Sequence, residues 1–198
     1  MQEHSLQQKR MLLVQGMLLA GKDPISDGVS LRHPKSNPFR LLTNLSVVSS
    51  FFQMNPTDLT QRPPRSPRVK LGGLVLLPRM LDKGRAHLAG TVGEYHFNCP
   101  LDQRLATFLG VNADDVLKLL KDGKSDSEIL AWIRDNTKRS DFEIYQWSEY
   151  QMQRAPSDIE GREYVSGMVK NVAPDRDDVV TWFDMLDLDD YASFGGKA

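Results

Sequence analysis

The chain has 198 residues, with 26 Asp and Glu against 25 Lys and Arg, 40% hydrophobic residues and a single cysteine, Cys99. That length fits one domain, or one domain with an appendage, and a body of this size buries roughly two thirds of the surface it exposes unfolded, enough for a core without cross-links. A net charge of −1 gives no global field toward nucleic acid or membrane, and one cysteine excludes an internal disulfide and a four-thiolate zinc site within the chain, which points to a reducing, cytoplasmic setting.

The charge is unevenly placed. Residues 1–98 carry 13 Lys and Arg against 6 Asp and Glu, and residues 99–198 carry 12 against 20. Attachment of one half to the other, or a docking surface, would account for this; a plain compositional gradient is the alternative.

Residues 1–53 read as a poorly ordered or overextended N-terminal segment. Their one apolar run, Met11–Ala20, is interrupted by Gln15 and Gly16, and it is far shorter than the about 20 residues a bilayer requires. It follows Lys9-Arg10 and has the length of a signal core, but no small-residue cleavage pattern comes after it. Asp23-Pro24, Asp27-Gly28, His33-Pro34 and Asn37-Pro38 then punctuate the chain against any long element. Met54 is accordingly a candidate initiator. Residues 54–70 form a basic arm around Arg62-Pro63-Pro64-Arg65-Ser66-Pro67-Arg68-Val69-Lys70. Proline fixes φ and removes a donor, so the arm is expected to be extended and partly polyproline II. Its cations could touch phosphates, yet no aromatic residue is interleaved to stack on bases. Wrapping of the acidic body, or simple solvation, is the preferred reading, and nucleic acid is disfavoured.

From Leu71 the signals become regular, and residues 71–198 read as a helical domain. Pro78 suits a first helical turn and Gly90 a stop; a second helix is expected from Pro100 to before Gly110, and Asn112 can cap a third running to Gly123. Three capping boxes follow, Ser125-x-x-Glu128, Ser140-x-x-Glu143 and Ser157-x-x-Glu160, and a last helix is expected near Asp175 or Arg176, after Pro174. Three apolar arcs share one spacing: Val116, Leu117, Leu119 and Leu120; Ile129, Leu130, Trp132 and Ile133; Val179, Val180, Trp182 and Phe183. At about 100° per residue each arc covers one helical face that must be buried. In the helix over 141–153, Phe142, Ile144, Tyr145, Trp147, Tyr150 and Met152 spread around the whole circumference. That predicts central packing, with an aromatic pocket wall or a homodimer contact as alternatives.

Leu77-Pro78-Arg79-x-x-Asp82-Lys83-x-Arg85-Ala86 resembles the signature of a bacterial family known only as a domain of unknown function. Arg62–Pro67 and Leu71-Gly72-Gly73 are similar to its lead-in. Glu94-Tyr95-His96, Cys99-Pro100-Leu101-Asp102 and Phe108-Leu109-Gly110 resemble its middle, and Trp182-Phe183 through Ser193-Phe194-Gly195-Gly196 one form of its ending. The resemblance covers about residues 56–198 and implies extent and order, not chemistry. Gly84 departs from it, where a better helix former is expected; glycine there costs about 1 kcal/mol relative to alanine.

The polar cluster between Arg79 and Cys99 is the leading site candidate. Arg79, Asp82 and Lys83 share a helix face, which suits an anion or carboxylate site with Asp82 orienting the two cations; a solvated face laced with ion pairs is the bland account. His87, His96 and Cys99 match no recognised metal spacing. Cys99 with a histidine would make a nucleophile and base, since a sulfur facing the N–H groups of a helix start is favoured as thiolate; a small buried residue is the simpler account. Asp187, Asp189 and Asp190 lack the glycine and glutamate of a calcium loop and read as a solvated acidic helix end.

The expected architecture is all-α: a compact bundle of about six short capped helices preceded by the extended Pro/Arg-rich arm. The lack of a complete catalytic constellation, together with the aromatic helix, favours a non-catalytic binding or regulatory module with a protein or small-molecule partner. The alternative is a small-molecule enzyme, or an anion or carboxylate site, built on Arg79, Asp82, Lys83, Arg85, His96 and Cys99. No cofactor motif, metal set or membrane span is read.

Overall fold

Seven α-helices follow one another in a computed structural model that describes residues 58–197. The expectations for residues 1–53, and for the first residues of the arm, lie outside the described residues. The helices are α1 (Leu77–Ala89), α2 (Pro100–Leu109), α3 (Ala113–Lys121), α4 (Asp126–Asn136), α5 (Asp141–Gln153), α6 (Ile159–Val172) and α7 (Trp182–Ser193). Among the described residues there is no strand beyond the single bridge Leu71–Leu74, so the fold is all-α.

The chain enters the body through a tight turn. Leu71 and Leu74 exchange two backbone hydrogen bonds of 3.0 Å across Gly72 and Gly73, whose φ values of +58° and +86° suit glycine. A Cβ on Gly72 would stand 2.5 Å from Leu130 Cδ1, so α4 closes directly over the turn. The Ser148 hydroxyl of α5 donates to Gly73 O at 2.8 Å and accepts from Val75 N–H, which pins the other side. Leu74 to Leu77 are then completely buried and start the main core, with Met80, Leu81, Leu105, Ile129, Ile133, Ile144 and Phe183. α1 packs on α2 and α3, and α6 packs on α7 over a second cluster centred on Val165, Val169, Trp182 and Leu188.

Gly84 sits where α1 crosses α3. A Cβ there would collide with Leu120 Cδ1 and press on the Phe97 ring at 3.2 Å. The departure from a good helix former thus reflects a close helix approach.

Helix starts follow the capping chemistry in most places. Ser125 and Ser140 form the expected boxes with Glu128 and Glu143, and Asn112 accepts from Asp114 N–H. The Ser157 box does not form. Asp158, one residue on, captures Gly161 N–H at 2.6 Å, and α6 begins at Ile159. The last helix also starts later than expected, at Trp182, because Thr181 and Asp184 make a capping box and Trp182 N–H donates to Arg154 O. Val179 and Val180 therefore precede the helix instead of continuing its face; Val179 is buried and Val180 is 57% exposed.

α5 is not central. Its buried stripe is Ile144, Trp147, Ser148 and Gln151, spaced as one helical face, while Phe142, Tyr145 and Tyr150 are 66%, 59% and 55% exposed. Two of the four buried positions are polar, and of the aromatic residues only Trp147 turns inward.

Residues 58–70 wrap the body as a strap without helix. Pro64 and Pro67 are buried, and Pro67 O accepts from Leu76 N–H at 3.0 Å. Arg65 grips Asp82 through Nε and Nη2 at 2.8 Å each and reaches Asp126 at 2.8 Å. Arg68 pairs with Asp184 and Asp187 and lies 5.9 Å from the Phe183 ring centre. Lys70 reaches Glu149 at 2.7 Å. The basic first half is tied to the acidic second half by these pairs, and these three cations meet carboxylates of the body.

Candidate functional site

Two side chains on one stripe of α1, Arg79 and Lys83, point into the protein and are 5% and 3% exposed. Each meets a carboxylate from a distant element. Arg79 donates to both oxygens of Asp190 on α7, at 2.6 and 3.1 Å, and to Arg65 O at 3.2 Å. Lys83 Nζ donates to both oxygens of Asp102 on α2 at 2.8 Å, and to Cys99 Sγ at 3.1 Å. Asp102 also accepts from Cys99 N–H at 3.3 Å, so the residue that neutralises Lys83 caps the helix that presents the cysteine.

Tyr95 completes the arrangement. Its hydroxyl donates to Asp190 Oδ1 at 2.8 Å, and the Arg79 guanidinium lies 5.5 Å from its ring centre. Burial drives the Tyr95 phenol up, and the neighbouring Asp190 carboxylate drives it further. For Lys83, burial pulls the other way, but Asp102 and Cys99 outweigh it and hold the ammonium above its ordinary range. Burial likewise opposes the Arg79 charge, and the Asp190 contacts prevail.

Above these pairs lies a cavity of about 440 Å³. Leu59 of the strap, Leu76, Leu101, Met185, Leu186 and Phe194 give it apolar walls. Arg79, Lys83, Cys99 and Asp102 form its floor, and Glu94, His96, Tyr164, Asp189 and Ser193 also line it. Of the non-glycine residues described, Leu76 (φ 66°) and Asn98 (φ 58°) have left-handed backbone. Leu76 lines the cavity and Asn98 precedes Cys99, so both uncommon conformations border it.

Of the six candidate residues, Arg79, Lys83, His96 and Cys99 converge on this cavity. Asp82 and Arg85 do not. They lie on the other flank of α1, where Asp82 takes Arg65 and Arg85 pairs with Asp126 at 2.7 Å. Asp82 thus orients the strap and not the two cavity cations. Burial would raise the Asp126 carboxyl, but Arg65 and Arg85 hold it below its usual value. His87 is exposed and stacks on Phe97 with ring centres 6.3 Å apart. Among the described residues no group of three or more His, Cys, Asp or Glu is placed to hold a metal ion.

The acidic-end reading of α7 needs correcting. Asp190 is 6% exposed and belongs to the Arg79 pair, and Asp187 pairs with Arg68 of the strap. Sequence reasoning also left Tyr95 and Asp102 without roles. For Asp102 the available signal was Cys99-x-x-Asp102, a capping-box spacing directly before Pro100.

The chain belongs to the family described as Domain of unknown function (DUF5069), which matches residues 61–192. No curated protein matches it. No helix of the described residues is long and apolar enough to cross a membrane.

Proposed function

We propose that this DUF5069 protein is a non-catalytic module that binds a small molecule in the cavity between α1, α2, α7 and the strap. The observation that carries the reading is convergence. Residues 59, 79, 83, 95, 99 and 189 come from separate parts of the chain to line one cavity of about 440 Å³ with apolar walls and a few fixed polar groups. That volume and composition are those of ligand sites in general.

The same geometry argues against turnover. The cysteine–histidine pair offered by the sequence needs an imidazole beside the sulfur. The partner of Cys99 Sγ is the Lys83 ammonium, which is held protonated by Asp102. The imidazole of His96 is on an exposed residue. Both buried cations are already matched by carboxylates, so these groups form ion pairs that position one another.

Cys99 is the only cysteine in the chain, half-buried and on the cavity floor, which makes it a built-in reporter. A library of small polar-apolar molecules should contain compounds that slow iodoacetamide alkylation of Cys99 in a saturable way and raise the melting temperature. Hydrolytic or redox turnover that is lost in Cys99→Ala would overturn the non-catalytic reading. Binding that leaves Cys99 alkylation unchanged would place the ligand elsewhere and overturn the choice of cavity.

A further inference from the structure

A groove of about 410 Å³ is lined by α6, by residues 155–156 and by the segment 174–180, and it shares no lining residue with the cavity above Cys99. Val165, Val169 and Val179 form its floor and are each under a tenth exposed. Pro156 and the exposed Val180 carry the apolar surface up to the rim. Along one edge stand Arg162, Ser166 and Lys170. They are four residues apart on α6, so they form one stripe beside the buried valines, about 12 Å long.

The charge of this lining runs against its surroundings. Residues 99–198 carry 12 Lys and Arg against 20 Asp and Glu, yet every charged residue that lines the groove is a cation: Arg162, Lys170 and Arg176. Arg176 has a partner, since its guanidinium lies on Asp178 with Nη2 2.6 Å from Oδ2. Arg162 and Lys170 differ, because among the described residues no carboxylate or other acceptor meets either head group. The acids of α6 are turned away from them. Glu160 and Glu163 stand about 160° and 100° around the helix from Arg162. Asp158, one turn before Arg162, caps the helix by accepting from Gly161 N–H at 2.6 Å.

Solvation accounts for two exposed cations on a helix, but not for the apolar wall that stays open beside them, where Val180 is 57% exposed. Two unmatched cations, a hydroxyl between them and an apolar trough describe one complement. We propose that this groove is a second ligand site, which takes an organic carboxylate with an apolar body. Arg162 and Lys170 receive the carboxylate, with Ser166 as a further donor, and the valines receive the body.

The compounds 4-phenylbutyrate, 4-phenylbutanol and 4-phenylbutylamine have nearly one shape and differ in charge. Their affinities for the full chain at pH 7 are measured by calorimetry at low and at high salt. The butyrate is expected to bind about tenfold more tightly than the amine, with the alcohol between them, and added salt should shrink that preference several-fold. Arg162→Gln and Lys170→Gln should each weaken the butyrate several-fold, and together they should abolish its preference. Val180→Asp, which sets a carboxylate on the open wall, should weaken it as well. All three positions are exposed, so the variants keep the fold, which circular dichroism verifies. No butyrate binding, binding without charge preference, or a preference that survives the double variant would overturn this site. The cavity above Cys99 stands or falls separately, on protection of its cysteine.

Discussion

Lys83 and Asp102 form a nearly completely buried ion pair, with side chains 4% and 2% exposed and Nζ 2.8 Å from Oδ2. Taking one member away leaves the other charge in a low-dielectric setting, which costs about 3–5 kcal/mol. Lys83→Met leaves Asp102 with the Cys99 N–H at 3.3 Å as its remaining hydrogen-bond donor from this group. Asp102→Asn leaves the ammonium facing an amide oxygen and Cys99 Sγ. At 1.4 kcal/mol per tenfold, either single change lowers the folded-to-unfolded ratio by between about two and four powers of ten. The double variant buries no net charge, and its amide oxygen can still accept from Cys99 N–H. It should therefore cost no more than the worse single, and the coupling energy should reach about 3 kcal/mol, the top of the usual range for contacting residues. Urea unfolding at pH 7, followed by tryptophan fluorescence with the slope held constant, measures all four corners of the cycle. Singles costing under about 1 kcal/mol each, or a double variant that is additive within about 0.5 kcal/mol, would refute the pairing as a determinant of this site.

Gly84→Ala is expected to destabilise by about 1 kcal/mol or more, although the same change in an open helix gains about that much; thermal unfolding gives the sign, which is set by the collision of the new methyl with Leu120. Asp158→Ala should cost about 1 kcal/mol in urea unfolding and Ser157→Ala nearly nothing, because the aspartate and not the serine caps α6. On the acid side, the Glu128 carboxyl is lowered to about 2, first by the Ser125 N–H and then by Lys124, and Asp126 is lowered by Arg65 and Arg85 against its burial. Groups with depressed folded values stabilise above their unfolded values, near pH 4, and lose that contribution as pH falls. The urea midpoint should therefore drop below about pH 4, and less steeply in Arg65→Ala; an unchanged acid limb in that variant would count against the strap pairing. On the alkaline side Lys83 and Tyr95 are both raised, so their stabilisation is complete below about pH 10 and lost above it, which titration of the midpoint from pH 8 to 11 checks.

Much of the helical body was legible because its signals are local. Gly90 and Gly110 end α1 and α2 with φ of +72° and +70°, as their positions implied. The two Ser-x-x-Glu boxes work because both partners lie within one turn, where no tertiary contact can intervene. The errors came where a neighbour competed. Asp158 took the cap from Ser157, and Thr181 with Asp184 delayed α7 past the apolar pair Val179-Val180. In α5 the hydrophobic pattern misled because Tyr and Phe can stay at the surface, whereas Ser148 and Gln151, polar by type, are 0% and 1% exposed. Ser148 is buried because Val75 N–H gives it a donor and Gly73 O an acceptor.

The site was half legible for a different reason. Helical spacing put Arg79 and Lys83 on one stripe, but the spacing says nothing about what waits opposite. Their counterions lie 111 and 19 residues away in sequence, and no local pattern pairs them. The asymmetry of charge between the two halves held the missing information in coarse form. Arg65, Arg68 and Arg79 from the first half are matched by Asp126, Asp184, Asp187 and Asp190 from the second. Once those pairs close, the charges of Arg65, Arg68 and Arg79 are met inside the fold, so the basic excess of the first half is a record of how the two halves attach and not of a surface left open to an anion.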